Sequence, residues 1–300
     1  MDRRNDATFA RRGTSGGRWP SPTWAMLSGC GLWGLSWWPL QRFAAQGLGA
    51  AALAATCYAA LTLAALPVLW RQRRECAQQP RRALAIMACG GWANAAFTCA
   101  LAIGDVTRAM LLMYLLPVWS VLAGRVLLGE AMAPRRLVAV GLALLGALLA
   151  LGTGSTSAFG LADFLALSSG VAVALNNVAL RSAERLPQGS KNALVFAGGL
   201  LSALAAAMLL GQSAPSLPQL GPVLLYAFAW LGVANVAVQY GVSFMQAGRA
   251  GVLLAFELVI AIGSAAALGA SELGLRQCIG TGLIVLATVL EARAARDKPR

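Results

Sequence analysis

Apolar runs separated by short polar breaks occupy almost the whole chain. They cover Trp24 to Phe43 and then 48–70, 83–103, 107–128, 135–151, 160–180, 192–211, 220–243, 250–270 and 274–291. At about 1.5 Å per helical residue each can cross roughly 30 Å of hydrocarbon, 135–151 with least to spare. The breaks carry Pro80, Pro134, Pro187, Pro215 and Pro218, which punctuate helices. The first run is too long and too tryptophan-rich for a signal-peptide core, so it reads as a retained helix. The pattern predicts an all-α membrane protein with ten transmembrane helices.

The pattern also repeats. At a shift of 141 residues Asn94 meets Asn235, Arg108 meets Arg249, Ala109 meets Ala250, Leu112 meets Leu253 and Gly141 meets Gly282. The acidic turn Gly129-Glu130 returns one position displaced, as Ser271-Glu272. Each copy is too short and too apolar to be a soluble domain. The expected organisation is a polar tail over 1–20, five-helix repeats over 21–152 and 153–292, and a tail over 293–300. Five is odd, so the second repeat runs inverted relative to the first.

Composition sharpens the class. The chain is 58% apolar and 12% charged, which excludes an ordinary soluble domain. Its net charge of +13 is not a nucleic-acid patch, because the charges lie between apolar runs. With the N-terminus cytoplasmic, one side holds 21 of the 24 Lys and Arg, and the other holds only Arg42, Arg108 and Arg276. That asymmetry satisfies the positive-inside rule with both termini in the cytoplasm. Five of six cysteines (Cys30, Cys57, Cys89, Cys99 and Cys278) fall inside apolar runs without metal-site spacing, as buried thiols would. The chain has no histidine, which excludes Ser-His and metal-histidine intramembrane proteolysis. It carries no Walker A pattern, so it does not itself hydrolyse ATP.

The run Leu111-Leu112-Met113-Tyr114-Leu115-Leu116-Pro117-Val118-Trp119, followed by Leu127-Leu128-Gly129-Glu130 and the glycine-rich stretch from Val140-Gly141 to Leu149, resembles the signature of the drug/metabolite transporter superfamily. The resemblance, to its EamA-type members, implies ten helices as two inverted five-helix repeats and spans nearly the whole chain. In the second copy Glu257 and Leu258 stand near the position of the family's central proline. Within the superfamily, Tyr114-Leu115-Leu116-Pro117 and the tryptophan-rich first helix look like the YddG-type aromatic amino-acid exporters.

Polar groups deep in hydrocarbon need a partner or a wet cavity. Asn94 and Thr98 share a face of the third helix, and Asn235 and Gln239 share a face of the eighth. Two such faces meeting across a pseudo-twofold axis would form a polar site, although interhelical hydrogen bonding explains any one of them equally well. Asn176 and Asn177 point about 100° apart, so one of them, Asn177 by choice, is expected to face a cavity. Trp37 and Tyr114 are aromatic cavity candidates, and Pro39 and Pro117 are hinge candidates. Trp92, Trp119 and Trp230 read as packing residues, and Trp19, Trp24 and Trp70 as interface anchors. Asp163 reads as structural, because it sits in the first turn of the sixth helix. Glu130 and Glu272 read as capping or pairing groups in turns. Glu257 lies eight residues beyond Arg249, roughly 12 Å into the core, where an unpaired carboxylate costs at least about 2.5 kcal/mol. Three states are open to it: protonated, paired, or facing a wet cavity where it binds solute or a proton.

No Lys or Arg lies at mid-depth, which argues against phosphorylated solutes and for neutral or zwitterionic ones. The expectation is an inner-membrane secondary transporter, not an enzyme, working by alternating access. Aromatic or apolar amino acids are the foremost export cargo, with another metabolite or drug as the alternative. A non-transporting membrane scaffold or receptor component is the competing class. The expected partners are a small-molecule substrate and the lipid bilayer, with no nucleic acid, no cofactor and no metal, and the chain is expected to be a monomer.

Overall fold

The computed structural model describes residues 21–128, 134–151, 159–183, 185–244, 247–271 and 274–294. Among these, all regular structure is helical and forms ten rods. The first rod is α1 (Pro22–Gly34) with α2 (Trp37–Ala45), and the second is α3 (Ala50–Arg71). The short α4 (Arg73–Gln78) lies in the connection to the third rod. That rod joins α5 (Pro80–Ala85), the π-helical turn Ile86–Gly90 and α6 (Gly91–Ile103). The fourth joins α7 (Val106–Met113) to α8 (Leu116–Leu128), and the fifth is α9 (Pro134–Leu151). The sixth is α10 (Leu161–Ser182) and the seventh α11 (Gln188–Leu209). The eighth joins α12 (Leu217–Tyr226), the π-helical turn Ala227–Gly232 and α13 (Val233–Phe244). The ninth is α14 (Ala247–Ala267) and the tenth α15 (Leu275–Ala294). The second, third, fourth, sixth, seventh and eighth rods are each long and apolar enough to cross a membrane. The first is interrupted, and the fifth carries Arg135 and Arg136 at its start.

Two interruptions have a covalent cause. Pro39 has no N–H to give to the Leu35 carbonyl, which accepts from Trp38 N instead at 3.2 Å, and the first rod breaks at Leu35 and Ser36. Pro117 likewise cannot serve the Met113 carbonyl, and the fourth rod breaks at Tyr114 and Leu115. The ninth rod has Leu258 at the position 141 residues beyond Pro117 and runs unbroken.

Helix packing follows the repeat. The second rod lies on the seventh and the fifth on the tenth. The first packs on the eighth and ninth, as its counterpart the sixth packs on the third and fourth. At the fifth–tenth crossing a Cβ on Gly146 would lie 2.6 Å from the Gly280 carbonyl oxygen, and one on Gly280 2.4 Å from that of Gly146. Such approach maximises van der Waals contact between rods, which is what associates helices once lipid has removed the hydrophobic drive. The second and seventh rods are clasped at both ends. Gln212 Oε1 accepts from Ala51 N and Ala52 N, both at 3.0 Å, which caps α3 from a distant loop. At the other end Ser190 Oγ donates to Gln72 Oε1 at 2.6 Å.

Cys30, Cys57 and Cys99 are buried free thiols, whereas Cys278 is exposed on the tenth rod and Cys89 is half-buried on the third. An apolar run predicts membrane depth but not which helix face looks inward. Trp24 and Trp70 are exposed near rod ends, and the Arg73 guanidinium stacks over the Trp70 ring at 4.6 Å. Trp19, Glu130 and Glu272 lie outside the described residues.

Candidate solute-binding cavity

The two π-helical turns frame the centre of the bundle. They begin at Ile86 and Ala227, separated by the repeat shift (227 − 86 = 141). Asn94 and Asn235 follow at equivalent positions and behave alike. Asn94 Nδ2 donates to Gly90 O at 2.9 Å, and Asn235 Nδ2 donates to Leu231 O at 3.0 Å. Inserted π turns recur at functional sites because they re-aim the side chains that follow them. Here both asparagines turn into one cavity between the two halves.

Six rods line that cavity: the first, third, fourth, sixth, eighth and ninth. Trp33, Phe97 and Tyr114 form its aromatic wall, with the Trp33 and Phe97 rings 5.9 Å apart. Its polar wall holds Asn94, Asn176, Asn177, Asn235, Gln239 and Glu257, and no Lys or Arg lines it among the described residues. The cavity extends to Leu180 and Val242, close to the ends of the sixth and eighth rods. At the opposite end of the bundle, Arg108 Nε pairs with Asp163 Oδ1 between the fourth and sixth rods. There too Ser271 Oγ donates to Asp105 Oδ2 at 2.6 Å and Gln41 Nε2 to Gly104 O at 3.1 Å. Asp163 Oδ2 also accepts from Gly160 N at 2.9 Å, so this carboxylate caps its helix and ties two rods together.

Of the residues singled out in the sequence, Asn94, Tyr114, Asn177, Asn235, Gln239 and Glu257 meet at this cavity. Trp37 and Thr98 do not. Trp37 is buried one turn beyond Trp33 and donates Nε1–H to Ser264 Oγ of the ninth rod at 3.0 Å. The break between Trp33 and Trp37 rotates their faces apart, so Trp33 takes the cavity position. Thr98 shares a hydrogen bond with the Tyr58 hydroxyl at 3.3 Å, because the next turn of the third rod faces the second. Asn176 joins Asn177 in the wall, since the cavity curves round more than one face of the sixth rod. Trp92 and Trp230 bind neighbouring rods through Ser168 and through Leu32 O and Ser36, as packing residues do. Trp33 and Phe97 were legible only as apolar residues of mid-helix depth.

Glu257 lies midway along the ninth rod and is buried, with 4% of its surface exposed. Beside its carboxyl is the Tyr114 hydroxyl. That hydroxyl donates its only proton to Leu254 O at 2.6 Å and so ties the break in the fourth rod to the ninth. Among the described residues, no cluster of His, Cys, Asp and Glu could hold a metal ion.

The model of the EamA-like transporter family matches this chain twice, over residues 21–152 and 160–292. The chain belongs to the EamA-like transporter family. Its members are membrane transporters of the drug/metabolite type, not enzymes. The twofold match accounts for the paired π turns, the paired asparagines and the helix contacts that occur in equivalent sets. No curated protein matches. Among solved structures 15 chains match. One, described only as the crystal structure of a protein, is 18% identical with a TM-score of 0.60, over 92% of this chain and 98% of its own. At that identity the likeness speaks for the fold alone.

Proposed function

We propose that this chain is a bacterial inner-membrane secondary transporter that exports neutral or zwitterionic metabolites, aromatic and apolar amino acids foremost, by alternating access. The carrying observation is the composition of the central cavity: Trp33, Phe97 and Tyr114 face five amide side chains and one carboxyl, without a cation among the described residues. Aromatic walls with a few convergent polar groups suit an amphipathic organic solute. A phosphorylated solute would leave its charge unmatched there.

The distribution of Lys and Arg supports cytoplasmic termini. In that orientation the Leu180 and Val242 end of the cavity lies toward the cytoplasm. The Arg108–Asp163 pair and the Asp105–Ser271 bond then close the periplasmic side, as in the inward-facing state of an exporter awaiting solute. The breaks before Pro39 and Pro117 are flexible points about which rods can rock between the two states. The protein acts as a monomer, since each chain contains both halves of its cavity.

Flux into sealed liposomes containing only this protein tests the reading. Labelled phenylalanine and tryptophan should move, and cells overexpressing the chain should resist toxic analogues of both. Movement of phosphorylated solutes alone would overturn the solute class. No flux for a broad panel would favour a scaffold instead.

A further inference from the structure

Two amides of the cavity wall have their orientation dictated by the backbone, which turns a carbonyl oxygen of each toward the solute space. Gly90 O and Leu231 O can only accept, so the group each asparagine turns toward them must be its NH2. The carbonyl oxygens of Asn94 and Asn235 are thereby left without a donor among the described residues, on walls of the same cavity in opposite halves of the molecule. Asn176 Oδ1 and Gln239 Oε1, in the sixth and eighth rods, are buried in the wall and unpartnered too. Glu257 completes the set. The Tyr114 hydroxyl, which donates to Leu254 O, lies beside that carboxyl. Among the described residues no Lys or Arg stands against these acceptors.

We infer that the cavity recognises the protonated amine of its solute and that a carboxylate on the solute is dispensable. This rests on the solute class proposed above and says which end of the molecule is read. An alkylammonium brings three N–H donors and a positive charge, which Glu257 and the asparagine carbonyls match. A solute carboxylate finds no cation among the described lining residues and meets the field of Glu257. The aromatic body lies against Trp33 and Phe97. Arylalkylamines, and amino-acid amides and esters with large apolar side chains, are therefore ligands alongside the free amino acids.

The test is competition for binding to the purified full-length protein in proteoliposomes. Tryptophan is the labelled ligand, and the competitors are tryptamine, tryptophan amide, N-acetyltryptophan and indole-3-propionate. Tryptamine and tryptophan amide should compete at least as well as unlabelled tryptophan. Masking or deleting the amine should weaken competition about tenfold or more, the size of one charge-assisted hydrogen bond. In Glu257→Gln, verified as folded by its melting curve, the preference for amines should shrink by a similar factor. The wild-type series stands without the variant if that fails to fold. N-acetyltryptophan competing as well as tryptophan, or indole-3-propionate better than tryptamine, overturns amine recognition and leaves the solute class intact. Absence of tryptophan binding, with another solute transported, overturns the solute class and this inference with it.

Discussion

Asn94 and Asn235 make the same hydrogen bond 141 residues apart, each donating its side-chain amide to the carbonyl four residues earlier, at 2.9 and 3.0 Å. Each follows a π-helical turn, and each lines the central cavity. Because the surroundings are equivalent, the two positions should respond alike. Asn94→Leu and Asn235→Leu should each weaken solute binding about three- to tenfold, the worth of one hydrogen bond. Ligand titration of the two variants checks this, and a loss confined to one would show that the halves do different work.

The Arg108–Asp163 pair joins the fourth and sixth rods and is largely shielded. Asp163→Asn keeps an oxygen for Gly160 N but removes the charge. It should lower stability by roughly 1–3 kcal/mol, as loss of a charged hydrogen bond does. Arg108→Gln should cost a similar amount and the double variant little more. Thermal melting of the full cycle measures the coupling, and additive losses would mean that the pair contributes nothing.

Gly280 should tolerate no side chain. Its Cβ would meet the Gly146 carbonyl, so Gly280→Val should destabilise by about 1–3 kcal/mol or abolish folding. Gly141→Ala and Gly282→Ala have open space around the new methyl group and should melt like the wild type. Equal losses at all three positions would point to backbone flexibility instead of the crossing.

Among the described residues, Glu257 carries the only carboxyl in the cavity wall. Transport by the wild type should vary with pH, and Glu257→Gln, which keeps shape and hydrogen bonding without titrating, should transport with a flat profile. Liposome flux measured across a pH series reads this directly. An unchanged profile would leave the residue purely structural.

In a cysteine-free background, single cysteines at Ser213 and Arg73 should label oppositely with an impermeant reagent, Ser213 from the periplasm and Arg73 from the cytoplasm. A cysteine at Ser190 should follow Arg73, whose end of the bundle it shares through Gln72. Equal labelling of Ser213 and Arg73 would break the proposed orientation.

Ten apolar runs and one repeat shift carried most of the fold. Hydrocarbon satisfies no backbone polar group, so a run of that length has to be helical and the count of helices follows from composition. The shift of 141 residues likewise marked Asn94 and Asn235 before any geometry was known. It also marked Gly141 and Gly282, where an added Cβ would meet open space, while Gly146 and Gly280 form the tight crossing. A sequence repeat records shared ancestry of position, whereas contact depends on the angle at which two rods meet.

What only the tertiary structure decided is which face of each helix looks inward. Trp33 and Trp37 are a turn apart in sequence, yet the break before Pro39 gives the cavity to Trp33 and buries Trp37 against Ser264. Asn94 and Thr98 part company for the same kind of reason, Thr98 facing Tyr58 on the second rod. The π-helical turns were invisible to a periodicity of 3.6, because one inserted residue shifts every later side chain by about 100° without altering hydropathy. Membrane depth is a property of local composition and so is written along the chain. Rotation about a helix axis is set by the neighbours it packs against, which only the assembled bundle supplies.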